Sequence, residues 1–278
     1  MDITIQKTTL PVKTIVWKGS RLRCLLLTSM EKSLLQSTLI NIINNEAVNG
    51  LEVKFTDEFE YFPKGLINPK EVELDKAHIP INGSIEYCKT LKNWWLGKRA
   101  RTPVWDFICN AEINGTPGLI LIEAKAHKNE LENTKDKSKA QKGSLNRCKI
   151  KSALKKINEL YCYKLSADDH FQLSNRIAWS IKLASLGIPV VLIYLGFLNT
   201  KEMTISKDDS LLSNAKEWET LVTKYSKDID FEDWSKKISG EKLRDDSNLS
   251  ESSFVYPIIR SINIQIETVD LSAKCTVE

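Results

Sequence analysis

The chain has 278 residues, 42% hydrophobic and 27% charged, and its 40 lysines and arginines nearly balance 36 aspartates and glutamates, leaving a net charge of +4. That composition supports a full hydrophobic core and excludes a disordered polyelectrolyte; any grip on a polyanion must come from local patches rather than overall charge. No apolar run approaches a membrane span, and Met1-Asp2-Ile3 lacks the basic start of a secretion signal.

Residues 2–28 alternate apolar and polar positions, as in ITIQ and KTIVWKG, which predicts a strand pair and an N-terminal extension over 1–29. Residues 30–46 place Leu34, Leu35, Leu39, Ile42 and Ile43 at helical spacing, and residues 51–56 follow as a first strand. Residues 64–82, with Pro63, Pro69 and Pro80 nearby, predict an irregular insertion, taken to about residue 100. Within NWWLGKRART the two tryptophans stand beside Lys98, Arg99 and Arg101, a mixture able to stack bases and hold phosphates. Ile85, Leu91 and Trp95 fall near helical spacing, which favours a core position for Trp95.

Residues 104–113 and 119–126 read as hydrophobic strands joined at Asn114-Gly115, a dipeptide whose residues both accept the positive φ of a two-residue hairpin turn. Opposed residues then sum to 229, which sets Asp106 across from Glu123, with Lys125 on the same face. The other face would carry Trp105, Phe107, Cys109, Ile120, Ile122 and Ala124. Pro117 cannot donate to a ladder and pulls towards a longer loop or an edge position. Two carboxylates and a lysine in an apolar hairpin need a compensating partner, because burying charge costs several kcal/mol per ion. A divalent-metal site for phosphodiester hydrolysis supplies one. The bland alternative is a cross-strand salt bridge of Lys125 with Asp106 or Glu123. Glu52-Val53-Lys54 repeats the triplet without a hydrophobic strand pair behind it and reads as a decoy.

Between Ala126 and Lys156 ten bases face three acids, a local charge of +7, directly after this hairpin. Lys128, Lys142, Arg147 and Lys149 are its nucleic-acid-binding candidates, together with Lys98, Arg99 and Arg101. The competing reading is a solvated loop leading into a helix, with residues 133–143 disordered or lid-like. Asp168-Asp169 can cap a helix running to Leu186, Gly187 stops it, and IPVVLIYLGF then forms a buried strand. Residues 208–246 are polar and helical in pattern, anchored by Trp218, Leu221, Tyr225, Phe231 and Trp234. Residues 247–253 read as a loop and 261–269 as a terminal strand. Residues 199–278 thus make a helical and strand appendage packing on the core, of a size to set target specificity or to form a homodimer.

The order Pro103-x-x-Asp106, hairpin, Glu123-x-Lys125 resembles the PD-(D/E)xK, or restriction-endonuclease-like, nuclease superfamily. The resemblance covers about residues 30–198 and rests on three residues plus element order; Val104 and Trp105 separate the usual proline from its acid. It implies an α/β fold with an α-β-β-β-α-β core, a mixed sheet flanked by helices. It also implies a metal-dependent endonuclease acting on DNA in restriction, defence or repair, with RNA still open as substrate. Asp106, Glu123 and the Ala124 carbonyl would hold Mg²⁺ or Mn²⁺, and Lys125 would orient or activate water. Glu46 and Glu86 are candidates for an extra acid, and Gln172 and Arg176, four apart on one helix face, for a supporting layer. A non-catalytic nucleic-acid-binding module of the same fold is an alternative, as is a partner-binding α/β protein with an Asp-Glu-Lys network.

Cys24, Cys88, Cys109, Cys148, Cys162 and Cys275 are widely spaced, which points to a reducing, cytoplasmic setting without membrane contact. His78, His127 and His170 lack zinc-ligand spacing. The absence of a Walker loop, G-x-G-x-x-G and G-x-S-x-G leaves ATP, dinucleotide and serine-hydrolase chemistry unsupported.

Overall fold

The computed structural model describes residues 18–44, 50–77, 79, 91, 94–95, 101–131, 136–200, 211–244 and 253–264. The hairpin sets the rest of the fold. Strands β3 (Phe107–Ile113) and β4 (Thr116–Lys125) pair antiparallel from Ile113↔Thr116 to Phe107↔Ile122, the register expected from the turn. Asn114 and Gly115 carry φ of 49° and 77°. Pro117 costs little. It faces Glu112, next to a hydrogen-bonded pair, so its nitrogen points away from β3. On that outer side β5 starts only opposite Leu119, whose N–H donates to the Pro189 carbonyl.

Strand β5 (Val190–Leu198) runs parallel to β4, and β7 (Phe254–Asn263) parallel to β5. Two-residue strands β1 (Val53–Lys54) and β2 (Tyr61–Phe62) both pair with β3, and β6 (Ile238–Ser239) closes the far edge on β7. The result is a mixed seven-stranded sheet in the order β1-β3-β4-β5-β7-β6, with β2 also on β3. Six α-helices flank it among the described residues: α1 (Gly19–Thr28), α2 (Lys32–Ile43), α3 (Lys128–Leu131), α4 (Leu145–Tyr161), α5 (Phe171–Ser185) and α6 (Ala215–Lys227).

Each sheet face has its own core. Leu22, Leu26, Leu35, Leu39 and Ile42 of α1 and α2 cover Phe107, Ile120, Ile122, Ile193 and Ile258. Leu154, Ile157, Leu173, Ile177 and Trp218 of α4, α5 and α6 cover Ile108, Leu121, Leu192 and Tyr194. Trp95 is core, as its spacing implied.

Several expectations are corrected. Residues 19–28 form a helix rather than a strand, because Leu22, Leu25 and Leu26 bury at helical spacing. Residues 1–17 lie outside the described residues. The first strand shrinks to two residues, and the terminal strand begins at Phe254, seven residues before the expected start. The C-terminal part is not an appendage: β7 sits inside the sheet, paired along nine residues with β5. Its YPII run is apolar throughout, as a strand covered on both faces requires. Helix α5 begins at Phe171 after His170 in a left-handed conformation, and Asp136 serves its first turn in place of Asp168 or Asp169. Among the described residues no helix is long and apolar enough to cross a membrane.

Candidate active site

Topology brings four charged side chains to one place. Glu123 and Lys125 end β4 and face α5, since strand neighbours two apart share a face. Helix α5 returns through the turn at Gly187 into β5, so its first turns lie over the carboxyl ends of β4 and β5. Arg176, in the second turn, therefore reaches Glu123. Its Nε donates to Glu123 Oε2 at 2.7 Å and its terminal nitrogen to the Val104 carbonyl at 2.8 Å, while the guanidinium lies 4.4 Å from the Trp105 ring centroid. Lys125 Nζ donates to the other oxygen, Glu123 Oε1.

Glu123 is 1% exposed, Lys125 6% and Arg176 7%. Asp106 is half-buried, the most accessible of the four. The regular pairing stops at Phe107, Asp106 occupies a bend, and its Oδ2 accepts the Ala124 N–H at 2.8 Å. The bend also turns Trp105 to the α5 side, where it packs with Trp95 and Trp179 rather than with Phe107 and Cys109 as the plain alternation implied.

The charges are unevenly shared. Burial pushes the Asp106 carboxyl up, Glu123 pushes it further, and Lys125, the Ala124 N–H and Arg176 only partly offset this, leaving it at about 7. Burial also pushes Glu123 up, but Lys125 and Arg176 outweigh it and hold Glu123 below the ordinary carboxylate range. Burial pulls Lys125 down, yet Glu123 and Asp106 win and raise it, so Lys125 remains an ammonium. On the opposite sheet face Cys24 of α1 stays a neutral thiol, pushed up first by burial and then by Asp106 and Glu123.

Tyr194, paired with Glu123 across the β4–β5 ladder, was not singled out from sequence. It is the one hydroxyl-bearing residue in an otherwise apolar strand, and that was its signal. Burial and Glu123 push its phenol well up; Asp136 and Tyr225 act in the same direction. Tyr225 of α6 donates its hydroxyl to Asp136 Oδ2 at 3.2 Å. Gly196, paired with Lys125, is required: a Cβ there would stand 2.6 Å from the Trp218 ring. Trp218 donates its indole N–H to the Tyr194 carbonyl at 3.2 Å and closes the site from the α6 side.

The other sequence candidates scatter. Arg147 is buried, donating to the Ser138 carbonyl at 2.9 Å and ion-paired with Asp168, so it is structural rather than a nucleic-acid contact. Lys128 is tied to Glu217 at 2.6 Å and is likewise spoken for. Arg101 is exposed, 3.6 Å from Glu73; Lys142 is exposed, and Lys149 is half-buried with a partner. For Gln172 the recorded bond is its backbone N–H to Asp136 at 2.7 Å. Glu46, Glu86, Lys98 and Arg99 lie outside the described residues. Glu52 and Lys54 of the decoy pair with each other on the surface at 2.7 Å.

Among the described residues no cluster of three or more His, Cys, Asp or Glu side chains could hold a metal. The oxygen donors are two carboxylates and one carbonyl. In an extended strand a residue's N–H and C=O point the same way, so the Ala124 carbonyl faces the Asp106 side with the N–H that Asp106 accepts. This all-oxygen set suits Mg²⁺ or Mn²⁺, for which one or two carboxylates plus water and phosphate suffice. A cavity of about 700 Å³ between Tyr161, Tyr163 and Lys242 lies by the amino end of β5, away from these residues. Comparison with protein-family models, curated proteins and solved structures found no match.

Proposed function

We propose that this chain is a metal-dependent nuclease of the restriction-endonuclease-like class, hydrolysing phosphodiester bonds in DNA. The observation that carries the reading is the juxtaposition of Asp106 and Glu123, with Lys125 on Glu123, at the carboxyl ends of β4 and β5. The order α2, β1, β3, β4, α5, β5 supports it, with β2, α3 and α4 as additions.

Asp106, Glu123 and the Ala124 carbonyl would hold a divalent cation. When bound, that ion polarises the scissile phosphate and acidifies a water. Lys125, beside its two acids, donates hydrogen bonds and offsets negative charge building on the phosphorus oxygens. Arg176 holds Glu123 Oε2 and Lys125 holds Oε1, so a cation at Glu123 would use the remaining lone pair of one of these oxygens. Half-buried Asp106, the most accessible of the four, marks the side from which substrate enters.

One observation favours a second reading. Arg176 brings the cluster to two acids and two bases, so a buried salt-bridge network without catalysis balances its charges. The lopsided sharing argues against it, because both cations serve Glu123 and Asp106 keeps one backbone donor. Titrating Mn²⁺ into wild type and Asp106→Ala, while following nicking of supercoiled plasmid, separates the two. Binding and nicking lost together in the variant support the nuclease. A wild type that binds no Mn²⁺, with or without DNA, leaves the network.

A further inference from the structure

We propose that residues 136–143 form a pinned strap presenting Lys137, Lys139 and Lys142 to the phosphate backbone of a DNA duplex beside the acid pair, an assignment that rests on the nuclease reading. The strap is anchored at alternate residues. Asp136 Oδ2 accepts the Gln172 N–H at 2.7 Å and the Tyr225 hydroxyl at 3.2 Å, and its carbonyl accepts the Phe171 N–H at 3.3 Å. Ser138 donates its N–H to the Ala167 carbonyl at 2.9 Å and takes Arg147 on its own carbonyl. Ala140 packs against the core. The residues between these anchors, Lys137 and Lys139, are exposed, as are Gln141 and Lys142. Lys137 and Lys139, two apart before the bend at Ala140, share a side about 7 Å from each other, and Lys142 follows in the turn at 142–143.

Charge accounting across the basic run singles out this strap. Arg147 and Lys151 share Asp168, Lys128 takes Glu217, Lys155 lies 3.7 Å from Glu159, and Lys149 and Lys156 also have partners. Lys137, Lys139 and Lys142 pair with no described acid. The strap's own acid, Asp136, points inward. The strap's exposed charges are therefore all basic, whereas each base of α4 already has a partner.

The strap also lies at the right end of the molecule. Asp136 holds the first turn of α5, which carries Arg176 one turn later, and Tyr194 and Tyr225 both feel Asp136 and Glu123. Ordering eight loop residues costs backbone entropy, so a fixed basic edge needs a use. A polyanion that must lie across Asp106 is that use. Neutralised phosphates release counterions, so each contacting lysine leaves a mark on the salt dependence of binding.

The test is fluorescence anisotropy of a labelled duplex in EDTA over a salt series, with Mn²⁺-dependent nicking measured on the same preparations. K137A/K139A/K142A should weaken binding about tenfold or more and lower the log–log salt slope by about 0.9 per lysine. Lys155→Ala should change neither. Asp136→Ala removes a negative charge, so charge alone predicts tighter binding; pinning predicts weaker binding, and a tighter complex would overturn the pinned geometry. Unchanged affinity and slope in the triple variant, or no duplex binding by wild type, overturns the strap. A wild type that nicks plasmid while the triple variant binds normally refutes the strap and leaves the nuclease. Binding that follows the strap without any nicking does the reverse.

Discussion

Strand β4 presents two different surfaces. Towards α1 and α2 it offers Ile120, Ile122 and Ala124, apolar to the end. Towards α5 it offers Leu119 and Leu121 and then changes to Glu123 and Lys125. Both surfaces are almost fully buried, so solvent does not account for the change. Apolar burial contributes about 25 cal/mol per Å² removed from water, whereas buried ions draw down stability even when paired. The α1–α2 face therefore holds the sheet together, and the α5 face gives up part of that contribution to hold charge in a fixed place.

Glu123→Ala should have the largest effect on stability. It strands Lys125 and Arg176 together in a buried setting, and removing one partner of a buried pair costs about 3–5 kcal/mol. Urea unfolding at neutral pH reads it directly. A loss below about 1 kcal/mol would mean that water already reaches both cations. Phe107→Ala on the opposite face belongs in the same range, about 3–5 kcal/mol for a fully buried aromatic. Its consequence is of another kind: folded Phe107→Ala should still bind Mn²⁺, while Glu123→Ala should not. If Phe107→Ala loses metal binding at a temperature where it remains folded, the two faces are coupled and the contrast fails.

Legibility in the sequence follows the same division. The Asn114-Gly115 turn and period-two alternation reach the right register for β3 and β4 and place Glu123 with Lys125, because local geometry dictates both. Alternation fails where the ladder ends: Asp106 bends and Trp105 changes sides, which no periodicity encodes. Arg176 was readable only as a helix-face candidate; its grip on Glu123 depends on the crossover from α5 to β5. The role of Asp136 was hidden, since one of three acids among ten bases looks like noise until α5 and α6 converge on it. Strand β7 was misplaced because its pairing partner lies some sixty residues earlier.

Gly196→Ala is a smaller perturbation aimed at the charged side alone. The added methyl meets the Trp218 ring, a rigid neighbour held by its own hydrogen bond, and overpacking of this kind costs about 1–3 kcal/mol. Because Gly196 pairs with Lys125, the shift should pass to the site, seen as weaker Mn²⁺ binding at 25 °C in protein that circular dichroism shows to be folded. A stable Gly196→Ala that binds Mn²⁺ as wild type does would show that Trp218 gives way without moving β4.

The smallest change, Asp106→Asn, carries the sharpest sign. Burial and Glu123 raise the folded-state value of Asp106 to about 7, above the ordinary value of 3.8. Its stabilising contribution is thus fully present below about pH 4, where both states are protonated, and is lost as pH rises towards 7, where unfolding frees the carboxyl to ionise. Asparagine cannot ionise and can still accept the Ala124 N–H. The variant should therefore gain stability relative to wild type between about pH 4 and 7 and hold that gain above pH 7, read from urea midpoints in EDTA. Added Mn²⁺ should reverse the order at pH 8, because the cation favours the ionised carboxylate that only wild type has, and should do little at pH 5. A salt-bridge network without a metal gives the first trend and not the second, so a wild type that Mn²⁺ leaves unmoved at pH 8 would count against a metal at Asp106 even where the EDTA series behaves as expected.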